Sequence, residues 1–262
     1  MKYISLTAAA IAFLPVAAQA ATVDLSGWTE NGLRGNNGAG DWTVQGVNND
    51  SVYQSTNGAP TVFFDPGSNA LGQTLAGTIF VNTSADDDFI GFVLGYSDGE
   101  FNSTSADFWV IDWKQIAQTI NDSGVSRNAP AGLALSHVSG NIAATTSTYG
   151  GLWGHDEVVT EVQRGSSLGG TGWNDFTTYT FELTYTSSLI EVKVNGVTEL
   201  SYTSAMNGAA FTAGAFGFYN SSQDDVRYAG ITEEAVVPLP AALPLLLAGL
   251  GGLGLVARRR RG

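Results

Sequence analysis

Apolar and polar residues alternate with a period of two along most of the interior of the chain, and a helical period is hard to find. Tyr179, Phe181, Leu183 and Tyr185 share one face of an extended segment, with Thr180, Glu182 and Thr184 on the other. Ile190, Val192 and Val194 alternate with Glu191, Lys193 and Asn195 in the same way. Asn195-Gly196 supplies the two positive-φ residues of a tight hairpin turn, so 197–202 is predicted to return as the next strand. Aromatic and β-branched runs at 61–64, 78–81, 89–96 and 108–113 predict further strands, and Phe216, Phe218 and 226–231 two more. Asn57-Gly58, Asp65-Pro66-Gly67 and Ser97-Asp98-Gly99 mark turns between them. Many short strands with glycine-rich turns predict an all-β fold, a sandwich of two antiparallel sheets. No linker divides residues 21–232, which are expected to form one domain.

The two ends break this pattern. Lys2, the apolar run from Ile4 to Ala18 and Ala18-Gln19-Ala20 have the form of a signal peptide, expected to span 1–20. After a stalk at 233–237, the box Val237, Pro238, Leu239, Pro240, Ala241 leads into an uncharged apolar run and then Arg258 to Arg261. Residues 239–257 come close to the ~20 residues that a membrane-crossing helix needs. The arginine cluster predicts that the span's C-terminal side stays cytoplasmic and the body lies outside. This order of box, span and arginines resembles the VPLPA-CTERM form of the PEP-CTERM sorting tails. That resemblance implies an exported protein of a Gram-negative bacterium. It would be held for a time in the inner membrane, processed by an exosortase, then delivered to the cell surface or extracellular matrix.

Charge and composition narrow the chemistry. Between the ends six basic residues, Arg34, Lys114, Arg127, Arg164, Lys193 and Arg227, face all 24 acidic ones. So acidic a body makes nucleic acid a poor partner and divalent cations a good one. Cysteine is absent, which removes disulfides, a thiolate nucleophile and cysteine-based zinc sites. The conspicuous cluster is Asp86, Asp87 and Asp88, set between two apolar strands and so pinned at a sheet rim. In an extended segment Asp86 and Asp88 would point the same way and share one cation, with Asp87 on the other side. Oxygen donors without histidine or cysteine suit Ca²⁺. Asp224 and Asp225, in the turn before the last strand, are further candidate ligands; Asp156 with Glu157, and Asp107 with Asp112, are weaker ones. Asp112 falls inside a predicted strand and needs a partner there.

The segments from Gly77 through Asp86-Asp87-Asp88 to Gly95-Tyr96, then Phe108 to Trp113-Lys114-Gln115, resemble the C-terminal domain of thrombospondins. The similarity continues in order through Gly132 to Leu135, Leu152-Trp153, Gly172 to Thr177, Tyr179 to Val194, Gly214 to Tyr219 and Ser222-Gln223. The resemblance implies a concanavalin-like, legume-lectin-like jelly roll that binds calcium and serves adhesion to cells and matrix. It carries a calcium role onto Asp86, Asp87 and Asp88.

Catalysis has little support in the residues. The Glu-x-Asp-x-x-Glu strand of jelly-roll glucanases is absent. Gly165 to Gly169 fits Gly-x-Ser-x-Gly around Ser167, but His137 and His155 both precede it and no helix is predicted to follow. Trp153 and Trp173, in glycine-rich loops, are the tryptophans expected to stack on sugars. The expectation is therefore a non-enzymatic, calcium-binding surface or matrix protein that mediates adhesion. An L-type lectin for extracellular polysaccharide and a purely structural biofilm-matrix component are the alternatives.

Overall fold

The computed structural model describes residues 22–33 and 40–236. The signal peptide at 1–20 and the Val237–Ala241 box with its apolar span and arginines lie outside the described residues. Among the described residues no helix is long and apolar enough to cross a membrane.

The strands in chain order are β1 (Thr29–Gly32), β2 (Trp42–Gln45), β3 (Ser51–Gln54), β4 (Thr61–Phe64), β5 (Gln73–Val81) and β6 (Phe89–Tyr96). They continue with β7 (Ala106–Lys114), β8 (Gln118–Asp122), β9 (Val125–Ala129), β10 (Gly132–Gly140) and β11 (Val159–Arg164). The last are β12 (Thr178–Tyr185), β13 (Leu189–Val194), β14 (Val197–Thr203), β15 (Ala215–Ser221) and β16 (Val226–Ala235). One seven-stranded sheet runs β1-β4-β15-β6-β7-β10-β11, the other β14-β13-β12-β5-β16-β3-β2, and every pairing is antiparallel. The sandwich expected from the alternation is present.

The sheets face each other across a core of Phe92, Ile111, Leu135 and Phe218 from the first and Ile79, Phe181, Val192 and Tyr228 from the second. Phe92 and Phe181 meet across the interface with ring centroids 4.3 Å apart. Asn195 and Gly196 hold φ of 49° and 77°, the paired left-handed residues that the β13–β14 hairpin requires.

The outer face of the first sheet is also covered. Phe64, Phe89, Phe108, Val110 and Tyr219 pack there beneath Ala129, Ile142, Leu152 and Trp153. The β8–β9 hairpin and the segment 141–158 supply that cover, so all of β6 is buried on both faces. This explains why 89–96 reads as continuously apolar and does not alternate. Gly91 has no room for a side chain, since a Cβ there would collide with the carbonyl oxygen of Ile111 on β7. Among the described residues no segment covers the outer face of the second sheet in this way. Its exposed or half-exposed residues include Thr180 and Glu182 on β12, Phe80 on β5, Arg227 on β16 and Tyr53 on β3.

Candidate functional site

The three aspartates lie in an irregular stretch between β5 and β6, and one carboxylate oxygen from each falls within 4.8 Å of the others. The expected extended alternation, with Asp87 turned away, does not occur. The backbone at 84–88 forms no strand, so all three side chains converge on one place.

Part of their charge is met from within. Lys114 ends β7 on its outer face, opposite Phe89 in the sheet register. Its side chain is 0% exposed. The ammonium donates to the Asp87 carbonyl at 3.0 Å, to Asp87 Oδ1 at 3.2 Å, to Gln118 Oε1 at 3.1 Å and to Asp88 Oδ1. It also sits 5.5 Å from the Phe89 ring centre and 5.1 Å from that of Trp153. Asp88, only 5% exposed, needs such a partner, because a lone buried carboxylate is strongly disfavoured.

Four neighbouring segments fix the acidic loop. Gln115 N donates to the Asp87 carbonyl at 3.2 Å, and Asp88 N donates to Gln223 Oε1 at 3.0 Å. Trp173 Nε1 donates to the Asp88 carbonyl at 3.1 Å. Asn57 donates its amide to Asp86 and accepts from Ser222 Oγ at 3.3 Å. The Trp-Lys-Gln and Ser-Gln pieces of the sequence thus serve one rim.

Trp153 and Trp173 require a correction. They are 2% and 1% exposed, so neither ring has a free face for a sugar. Trp153 packs edge-on to Phe89, and Trp173 belongs to the central core. Both support the aspartate cluster from inside.

Asp86 is the carboxylate that Lys114 leaves alone. Burial first, then the charge of Asp88, with Asp224 and Asp87 adding, push it up to about 6. Burial likewise raises Asp88, opposed by the Lys114 ammonium. Asp224 acts on Asp86 by charge, and its Oδ1 is buried without a hydrogen-bond partner. Neither Asp224 nor Asp225 joins the three converging carboxylates, and Asp225 has a left-handed backbone at φ 54° with its carbonyl accepting from Asn82 N at 2.8 Å.

The weaker acidic candidates are neutralised elsewhere. Arg127 pairs with Asp122 at 3.2 Å, with Glu157 at 2.7 Å and with Asp156. Asp107 holds His137 at 2.7 Å, and that imidazole stacks on Trp109 at 4.3 Å. Asp112 finds its partner in His155 Nε2 at 2.8 Å, while His155 Nδ1 meets Glu161 at 2.9 Å. Ser167 is tied into a structural contact with β14. Its Oγ donates to Glu199 Oε1 at 2.5 Å, and the same buried carboxylate accepts from the Ser167 and Leu168 amides at 2.8 and 3.0 Å. The Gly-x-Ser-x-Gly loop is pinned to β14.

The His155 network has a pH signature. Burial alone would lower this imidazole, but the Asp112 charge and the bonds to Asp112 and Glu161 override it and push it up to about 10. A group raised on folding adds stability below its unfolded value near 6.5 and loses it as pH rises through the folded value. Urea unfolding of wild type is therefore expected to weaken between pH 7 and 10, by at most about 1.4 kcal/mol per pH unit from this group. The variant His155→Gln should lack that component, and equal slopes in the two proteins would contradict the coupling.

Two antiparallel seven-stranded sheets, with aspartates, an internal lysine and a buried tryptophan gathered at one rim, define an all-β sandwich with an acidic loop cluster. The chain belongs to the family described as the thrombospondin C-terminal region, which it matches over residues 38–235. It is 28% identical over 164 residues to thrombospondin-1 of Xenopus laevis, covering 61% of this chain and 14% of that protein. It is 28% identical over 182 residues to the cartilage oligomeric matrix protein of Rattus norvegicus, covering 65% of this chain and 23% of that protein. The chain thus spans under a quarter of the length of these relatives. A carbohydrate binding module from Bacillus subtilis superposes with a TM-score of 0.49 at 10% identity, over 79% of this chain and 95% of that one.

Proposed function

We propose that this chain is an exported, non-enzymatic, calcium-binding module that mediates adhesion or matrix association at a bacterial surface. The observation that carries this reading is the charge balance at the rim. Three carboxylates, Asp86, Asp87 and Asp88, converge there, the charge of Asp224 adds to the repulsion on Asp86, and of these acids the one ammonium pairs only with Asp87 and Asp88. A hard divalent cation fits the remainder, because every donor is oxygen and the Asp224 Oδ1 atom is buried with no partner. Asp86, Asp88 and Asp224 would hold the ion, with Asn57 Oδ1 beside them. Asp87 would act through Lys114, and Asp225 through its backbone bond to Asn82.

The family relationship supports the extracellular setting, since the relatives include a protein named for cartilage matrix. The ends of the sequence supply the rest of the proposal. Residues 1–20 would direct export from a Gram-negative cell. Residues 233–262 would sort the domain through an exosortase, with the 239–257 helix as a temporary membrane anchor, and the partner would be a surface protein or polysaccharide. Calorimetric titration of the chelator-treated protein with CaCl₂ tests the ion. A saturable isotherm is expected for wild type and its loss for Asp86→Asn; no binding to wild type would sink the reading.

A further inference from the structure

We propose that the uncovered face of the second sheet binds an anionic polysaccharide of the uronate type in a groove centred on Arg227. This site uses none of the rim aspartates and goes beyond the calcium reading.

The strand register builds the site. β16 lies between β5 and β3, and Arg227 stands directly opposite Phe80 on one side and Tyr53 on the other. All three point away from the sandwich core, because their strand neighbours Val226, Tyr228, Ile79, Val81 and Val52 fill it. Phe80 and Tyr53 are half-buried and belong to neither apolar core, so two aromatic rings flank a guanidinium on an open sheet. Two adjoining depressions of about 360 and 260 Å³ share Phe80 and Arg227, and the larger is within the roughly 300–1,000 Å³ range of small-ligand sites. The larger is completed by the amides of Gln45 and Asn82.

The charge pattern selects the ligand. Among the described residues, Lys114, Arg127, Arg164 and Lys193 each pair with a carboxylate. Arg227 alone has no carboxylate within the 4.0 Å of an ion pair; its one hydrogen bond goes to Ser51 Oγ at 3.2 Å. No aspartate or glutamate lines either depression, although the chain carries 24 of them. An unpaired guanidinium in so acidic a body is a vacant fork for one carboxylate. The rings offer apolar faces to the C–H side of a pyranose, and the amides suit its hydroxyls. One cation matches one carboxylate per bound sugar, whereas a nucleic acid would need several phosphate contacts.

Calorimetry of the full chain in chelator, with trimers of galacturonate and of mannuronate as probes, tests the site. At least one trimer should bind, and its methyl ester and maltotriose should bind about tenfold more weakly or not at all. Arg227→Gln and Phe80→Ala should each weaken the acidic trimer about tenfold without shifting the melting temperature by more than a few degrees. Arg227→Lys, which keeps the charge but loses the fork, should fall between wild type and Arg227→Gln. The proposal is overturned if neither trimer binds up to about 10 mM or if Arg227→Gln binds as wild type does. Chelator in every arm keeps this outcome separate from that of the calcium titration.

Discussion

Replacing Lys114 with methionine should lower the melting temperature by about 10 °C. Methionine fills much of the same volume, so the loss is chiefly electrostatic. The ammonium is fully buried and contacts Asp87, Asp88 and Gln118, with the Phe89 and Trp153 rings around it. Removing one partner of a buried pair strands the other, at a cost of about 3–5 kcal/mol. For a domain of this size each kcal/mol moves the midpoint by about 2–4 °C. The companion variant Lys114→Met/Asp88→Asn removes both charges and should recover much of the loss. A single variant within about 2 °C of wild type would show that the aspartates do not depend on this lysine. Added calcium should narrow the deficit, because an ion at Asp86 and Asp88 neutralises the same stranded charge.

Calcium removal is the second large effect. A site whose dissociation constant lies 100-fold below ambient calcium adds about 2.7 kcal/mol. Transfer from calcium to chelator should therefore lower the melting temperature by about 5–10 °C. Asp86→Ala combined with Asp88→Ala should erase the difference between the two conditions, although it lowers the midpoint in both. Coincident melting curves for wild type in calcium and chelator would remove the stabilising role. No cysteine is available to staple the rim loops, so the ion's contribution has no covalent substitute.

Strands were legible in the sequence wherever one face stays polar. β12, β13 and β14 lie on the uncovered sheet, and their alternation with the Asn195-Gly196 turn places them almost to the residue. β16 runs to Ala235, past the expected end at Ile231. Its last residues pair with β5 beyond an irregularity after Ala229, and exposed Glu233 and Glu234 carry no apolar signal. The β8–β9 hairpin was not legible, because Gln118, Thr119, Ser126 and Asn128 read as loop. The aspartate cluster was visible as three adjacent charges, but its geometry was not, since periodicity applies to strands and 84–88 is irregular. Lys114 was hidden for another reason. It reaches the aspartates only through the register that sets it opposite Phe89, although its parity with buried Phe108, Val110 and Asp112 was a usable signal. The tryptophans misled because glycine-rich flanks resemble exposed loops, whereas Gly172 is packed against the Gln115 backbone and carries Trp173 inward.

β16 has a mechanical consequence. It is paired on both edges, with β5 along most of its length and with β3 over its first half, and it is the strand that leads toward the C-terminal end. Ladder bonds in an antiparallel sheet lie across the strand axis. Tension applied at Ala235 along that axis therefore loads many of them in shear at once and does not peel them singly. A tether attached there would grip the domain by its central staves, and the Arg227 groove would ride on the same stave that bears the load.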